Sequence, residues 1–367
     1  MYGIVLTGGG ARGAYGIGAL ECIKKERLEI GAVVGSSVGA INGAMFAQGD
    51  FKLAKKLWNT ISLNDVIELE ALNENKWSVK SIKKIIDDIK ANSGVSMEPI
   101  DKLLREVIDE NKLLLSPVDF GLVTYSVTDK KPLEVFKADI PKGKLVDYIM
   151  ASASLPGTMR KVIDDKEYLD GGFADNKPVS MLTAKGYRDI VVVDVGGPGV
   201  QKQIANDGVN VIEIKCKNPI VGILEFDKKK LEDSINMGYA DARKAFGRVM
   251  GNKYYIKSND YIKAKHTMSE ELLAGLENAA DYLGVYRFGE YTIREFIEEI
   301  NKKYNRIKNE SGNVGMEAIM GGKNKEILFV KATEALKSGN AEQAEFAVKL
   351  LLKDFSLAAN AIRYFSI

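Results

Sequence analysis

Histidine occurs once in these 367 residues and cysteine twice, which nearly closes two common routes to catalysis at the outset. The single histidine, His266, lies in Lys263-Ala-Lys-His-Thr, a polar segment that reads as solvated surface. A hydroxyl nucleophile ordinarily takes its base from histidine; here that base must be a carboxylate. Cys22 and Cys216 fall in segments that read as a helix and a strand, outside any CxxC or Cys/His cluster, and are expected as buried thiols. A surplus of one charge is also missing. Lys+Arg number 52 against Asp+Glu 50, and a net charge of +2 makes no field strong enough to argue for nucleic acid or an anionic membrane surface. Any contact with lipid would have to come from apolar surface.

Neither a spanning segment nor a leader is expected from the pattern. Residues 30–49 carry no charge and approach the length of a membrane span. Gly35, Ser36, Ser37, Gly39, Asn42, Gly43 and Gln48 interrupt them, and Ala32-Val33-Val34 reads as a buried strand. No basic segment, apolar core and small-residue cleavage site open the chain, so a cytoplasmic location is expected. Internal repeats and low-complexity tracts are lacking too.

What is present is an ordinary globular composition, 46% hydrophobic and 28% charged, in a chain long enough for a large α/β core with an appendage. Residues 3–7 form a short apolar run ending in Gly8-Gly9-Gly10, and Ile17, Leu20 and Ile23 then recur at helical spacing. A second buried run at residues 32–35 meets a helical segment at 38–49 through Ser36-Ser37. Two strand-to-helix units in succession predict a mostly parallel sheet with helices on its faces. Residues 51–111 read as a helical, cap-like insertion, with an amphipathic surface helix at 81–90. A strand pair is expected at 120–127 and 133–136, a helix ending near Ser154, and a short strand leading into Asp170-Gly171-Gly172. Residues 190–195 and 209–215 look too apolar to face water. Beyond about residue 225 the pattern is helical except for a strand at 254–256. The expected organisation is therefore one domain over 1–308, a glycine-rich linker over 309–325 and a helical C-terminal extension over 326–367, the last with a capping-box pattern at Asn340-Ala-Glu-Gln343.

The sharpest chemical feature is Gly35-Ser36-Ser37-Val38-Gly39, a GxSxG between a strand and a helix. Such an elbow holds its serine in a strained turn, the flanking glycines avoid collision with the adjoining strand and helix, and the helix N-terminus faces developing negative charge. Alone the pattern also fits a flexible Gly/Ser turn. The upstream loop, Gly8-Gly9-Gly10-Ala11-Arg12-Gly13, presents successive backbone N–H groups suited to an oxyanion. Gly8-x-Gly10-x-x-Gly13 equally fits a dinucleotide fingerprint, and with it an oxidoreductase, although no acidic residue closes the second strand where a ribose would need one. For the carboxylate base Asp170 is attractive, because Gly171 and Gly172 let the backbone turn near the nucleophile. A plain Asp-Gly hairpin turn explains it too, and Asp194 and Asp175 are the alternatives.

Three motifs occur together in order: GGGxRG at Gly8 to Gly13, GxSxG at Gly35 to Gly39, and DGG at Asp170 to Gly172. With Ala151-Ser-Ala-Ser154 and Pro156 ahead of the aspartate, the chain resembles the patatin-like phospholipase family over about residues 3 to 200. The resemblance implies a three-layer α/β/α sandwich. It implies Ser37 as nucleophile, Asp170 as proton acceptor and the amides around Gly9 and Gly10 as the oxyanion hole. Arg12 would orient the loop or meet a substrate head group, or else form a structural ion pair. It implies a lipid or phospholipid ester substrate with transient contact to a membrane surface, and neither metal nor cofactor. A non-catalytic interaction module on the same fold is the remaining alternative.

Overall fold

A computed structural model describes residues 1–68, 94–155, 157–203, 208–311, 325–339 and 354–365. The expected helix at 81–90, most of the 309–325 linker, Pro156 and the capping-box pattern at 340–343 lie outside the described residues. The chain divides into two compact units, Met1–Ala245 and Phe246–Ile367.

The first unit is built on one sheet. Its strands are β1 (Tyr2–Leu6), β2 (Ile30–Ser36), β3 (Asp119–Ser126), β4 (Lys131–Phe136), β5 (Lys161–Ile163), β6 (Lys166–Leu169), β7 (Asp189–Asp194) and β8 (Asn210–Lys215). The order is β5-β6-β3-β2-β1-β7-β8, with β4 also paired to β3. From β3 through β8 along this path every pairing is parallel, while the β3–β4, β3–β6 and β5–β6 pairings are antiparallel. Its described helices are α1 (Gly13–Lys25), α2 (Val38–Ala47), α3 (Phe51–Trp58), α4 (Glu98–Val107), α5 (Glu110–Leu115), α6 (Leu145–Ser152), α7 (Val179–Ala184) and α8 (Lys228–Ala245).

Two layers of helix enclose the sheet because the side chains of a strand alternate between its faces. Val5, Ala32, Val34, Val123, Ile190 and Val192 share one face with Val179, Met181 and Leu182 of α7. Leu6, Val33 and Phe120 meet α2 at Gly43 on the other. The apolar runs of β1, β2 and β7 are thus buried on both sides, as the absence of alternation in their sequences requires. One expectation needs correction. Strand β8 is not buried; it is the sheet edge, with four of six residues exposed, because no strand among the described residues pairs with its far side.

The second unit is mainly helical, with Ser258–Thr267, Glu270–Tyr282, Ile293–Glu310, Lys325–Ser338 and Phe355–Tyr364 around a small three-stranded sheet. Its core joins Tyr254, Phe296 and Tyr304 to Phe329, Phe355 and Ile362. The boundary accordingly falls at Ala245 rather than at residue 308, since residues 254–307 bury their apolar side chains with the C-terminal helices. Among the described residues no helix is long and apolar enough to cross a membrane.

The entry into β3 depends on a buried lysine. Lys137 Nζ donates to the carbonyls of Leu113 (2.9 Å), Ser116 (2.7 Å) and Val118 (3.0 Å), collecting the orphaned end of α5 and the turn that follows. Burial holds its ammonium below the usual lysine range. Lys137→Met removes all three bonds and strands the carbonyls, so it is expected to destabilise the first unit by about 2–4 kcal/mol, read as a lower urea midpoint.

Candidate active site

The register of the sheet brings the chemistry together. Parallel strands deliver their C-terminal ends to one edge, and there β1 runs into the glycine loop and β2 into Ser37. Across the β2–β3 pair, Ser36 stands level with Val123. Antiparallel β6 pairs Leu169 with Tyr125 and so brings Asp170 to the same level from the other direction. Thr124 Oγ1 fixes that arrival by donating to the Leu169 carbonyl at 2.7 Å. Gly171 then presses so close that a methyl group there would lie 2.2 Å from the Val123 carbonyl oxygen and 2.6 Å from Ser36 Oγ.

Ser37 sits at φ 56°, ψ −130°, a region that costs a non-glycine residue about 1–3 kcal/mol. The corner closes only because its flanks lack side chains: a Cβ on Gly39 would fall 2.2 Å from the Leu6 carbonyl oxygen. The Ser37 N–H donates to Ser152 Oγ at 3.0 Å, and Ser152 Oγ donates in turn to the Val123 carbonyl at 2.6 Å. Two residues on, the Ser154 carbonyl accepts the Asp170 N–H at 2.9 Å. The end of α6 therefore holds both the serine and the aspartate.

Asp170 is 6% exposed. Its Oδ1 accepts the Gly172 N–H at 2.8 Å, while Oδ2 is buried with no hydrogen-bond partner. Loss of hydration pushes its pKa from the ordinary 3.8 up to about 6, against the opposing pull of the Ser37 hydroxyl and the Gly172 amide. The Ser37 hydroxyl thus interacts with the carboxylate, whose proton affinity burial raises.

The glycine loop lies directly against the serine, since a Cβ on Gly8 would come 2.7 Å from Ser37 Cβ. Its amides are not equivalent. The Gly8 N–H donates to Asn176 Oδ1 at 2.8 Å and the Ala11 N–H to the Ile223 carbonyl at 2.7 Å. The Gly9 and Gly10 amides have no such partner among the described residues and remain as donors. The expected oxyanion set is corrected to this extent: Gly8 serves to anchor the loop. A pyrophosphate would find the Gly8 and Ala11 amides already engaged, which weighs against the dinucleotide alternative. Arg12 makes no ion pair among the described residues; its guanidinium donates to the carbonyls of Gly196 and, at 3.2 Å, Val221, tying the loops after β7 and β8 to the start of α1 at Gly13.

The alternative carboxylates both contact lysines, although Asp175 Oδ2, like Asp170 Oδ2, is buried without a hydrogen-bond partner. Asp194 Oδ2 pairs with Lys177 Nζ at 3.0 Å, and Asp175 Oδ1 accepts the Lys177 N–H at 2.9 Å, its other oxygen lying 3.7 Å from Lys202 Nζ. His266 is exposed on a helix of the second unit.

An apolar pocket opens at the serine. Gly10, Ser37 and Val38 form one end, and α2, α3 and α4 wall the rest through side chains such as Ile41, Met45, Trp58, Ile100 and Leu104. The described parts of the expected cap-like insertion therefore flank the pocket. Its one amide side chain, Asn42, is satisfied at both ends, accepting from Trp58 Nε1 at 2.9 Å and donating to the Gly13 carbonyl at 3.0 Å. Such a lining suits a hydrocarbon chain.

Sequence reasoning missed Asn176 and Ser152. Each lies within or beside a segment the motifs had already marked, Asn176 four residues past Gly172 and Ser152 inside Ala151-Ser-Ala-Ser154, but only tertiary pairing reveals what their side chains hold.

A serine at a strand–helix corner of a mostly parallel sheet, beside a glycine loop and a buried aspartate, defines an α/β protein of the nucleophile-elbow class. Residues 4–183, just under half of the chain, match the family model described as patatin-like phospholipase, so this part of the chain is a patatin-like phospholipase domain. Neuropathy target esterase sws of Drosophila melanogaster is 27% identical over 198 residues, 53% of this chain and 13% of that protein. Lysophospholipase NTE1 of Cryptococcus neoformans is 27% identical over 198 residues, covering 53% and 11%. Patatin-like phospholipase domain-containing protein 7 of Rattus norvegicus is 25% identical over 203 residues, covering 53% and 13%. The chain thus spans about an eighth of the length of these relatives.

The raised pKa of Asp170 has a consequence for stability. A carboxyl that holds its proton more tightly when folded destabilises the fold once ionised, so stability falls as pH rises from about 4 to 6 and the cost above pH 6 is about 3 kcal/mol. Asp170→Asn is expected to unfold at a higher temperature than the parent at pH 8, with the difference vanishing near pH 4 in thermal melts.

Proposed function

We propose that this protein is a serine acyl hydrolase that cleaves lipid esters with Ser37 and Asp170 as its catalytic dyad. Ser37 Oγ attacks the ester carbonyl while its proton passes to Asp170 Oδ2, and the Gly9 and Gly10 amides receive the oxyanion. Collapse of the tetrahedral intermediate expels the alcohol, which takes the proton from Asp170. Water, deprotonated by the same carboxylate, then attacks the acyl-enzyme and releases a fatty acid while Ser37 recovers its proton.

The observation that carries this reading is the buried Asp170 carboxylate with one oxygen unbonded, facing a serine hydroxyl at the mouth of an apolar pocket. An oxygen of that kind costs free energy in the ionised resting protein, and above pH 6 it takes up a proton in the proposed reaction. The pocket supports an acyl chain as the recognised part of the substrate. The relatives' names, an esterase and a lysophospholipase, support a lipid ester.

Ser37→Ala is expected to lower hydrolysis of a nitrophenyl ester by at least about 10⁴-fold while a fluorophosphonate probe labels the parent and not the variant. Parent-like rates in the variant would remove the assignment. In the parent, log kcat/KM is expected to climb with pH and level off above about 6, as Asp170 loses its proton. A profile flat from pH 4.5 to 8 would exclude Asp170 as the base.

A further inference from the structure

We infer that Asn176 is a positioning residue that selects which amides of the glycine loop stabilise the oxyanion, an inference that rests on the hydrolase reading above. Asn176 is completely buried. Its Oδ1 accepts the Gly8 N–H at 2.8 Å, and its Nδ2 faces the carbonyls of Pro198 at 3.1 Å, Gly8 at 3.4 Å and Gly197 at 3.5 Å. One side-chain amide therefore grips both the N–H and the C=O of Gly8.

That double grip has a directional result. In a trans peptide the C=O and the following N–H point in opposite directions. Drawing the Gly8 carbonyl toward Asn176 turns the Gly9 N–H away from it, and spending the Gly8 N–H on Oδ1 removes that donor from the reaction. The glycine chain cannot hold these planes by itself, because glycine lacks the steric restriction that confines other residues. Preorganisation of the donors is what makes an oxyanion hole effective, and here a side chain supplies it.

The same residue joins the two halves of the site. Asn176 belongs to the turn that carries Asp170: the Asp175 N–H donates to the Gly171 carbonyl at 2.9 Å, the Asn176 N–H to the Val200 carbonyl at 2.6 Å, and the Val200 N–H to the Gly172 carbonyl at 2.8 Å. Proton acceptor and oxyanion loop thus hang from one short bridge, the first by its carboxylate and the second by the Asn176 amide.

The test compares Asn176→Asp, which keeps the shape and the acceptor but loses the Nδ2 donors, with Asn176→Ser, which is neutral and shorter. Circular dichroism checks the fold, and fluorophosphonate titration counts competent sites. Per labelled site, kcat on a nitrophenyl ester is expected to fall by about 10²–10³-fold with KM within about twofold. Affinity for a trifluoromethyl ketone of matching chain length, whose serine adduct needs the oxyanion donors, falls in parallel with kcat. Inhibition by the free fatty acid, which needs only the pocket, stays unchanged. Parent-like kcat per labelled site, or fatty-acid and ketone affinities that weaken together, would overturn the inference, and unfolding of both variants would assign Asn176 to the fold alone. If instead the parent itself hydrolyses no ester and takes no label, it is the hydrolase reading that falls.

Discussion

A carboxylate held almost out of water, with one oxygen accepting from a backbone amide and the other without a hydrogen-bond partner, is the constraint on which the site depends. Buried polar atoms are nearly always satisfied, and an unsatisfied one on an ionisable group persists only where its surroundings leave it no alternative. Asp170 is confined by its turn: Oδ1 is bound to Gly172, the backbone N–H to Ser154, and the following glycine is wedged against β3. The result is an aspartate of raised proton affinity that faces a hydroxyl.

A second strained element lies beside the first. Ser37 occupies a backbone region that serine avoids, and it is held there by neighbouring structure. The segment from Ser152 to Ser154 touches both, taking the Ser37 N–H on a side chain and the Asp170 N–H on a carbonyl. Fixing the serine and the aspartate from one short segment limits errors in their separation. The cost of both strained residues is offset by strands buried on both faces, β1, β2 and β7, whose packing does not depend on the site.

The span shared with the family ends at residue 183, yet the sheet is completed by strands that follow it. β7 lies against β1, and β8 against β7. The loops after these strands also take part, since Gly196, Val221 and Ile223 receive hydrogen bonds from Arg12 and Ala11. Residues 184–245 thus belong to the same unit as the site. The second unit has its own core of aromatic and aliphatic side chains.

Local pattern was enough for much of this. Apolar runs followed by glycine and then by helical periodicity marked β1, β2 and their helices, and the scarcity of histidine required a carboxylate in place of a triad. These are short-range consequences of side-chain size, conformational freedom and charge, and they can be read from neighbours in the chain. The pairing of Asp194 with Lys177, the engagement of the Gly8 amide by Asn176, the carbonyl-binding role of Arg12 and the exposure of β8 are different. Each depends on which distant segment stands opposite: Lys177 neutralises Asp194, Asn176 reaches across to Gly8, and β8 happens to be the last strand. The sequence alone determined the elements and the chemical types available at their ends; tertiary structure decided which of those groups were left unpaired, because only packing shows where each partner goes.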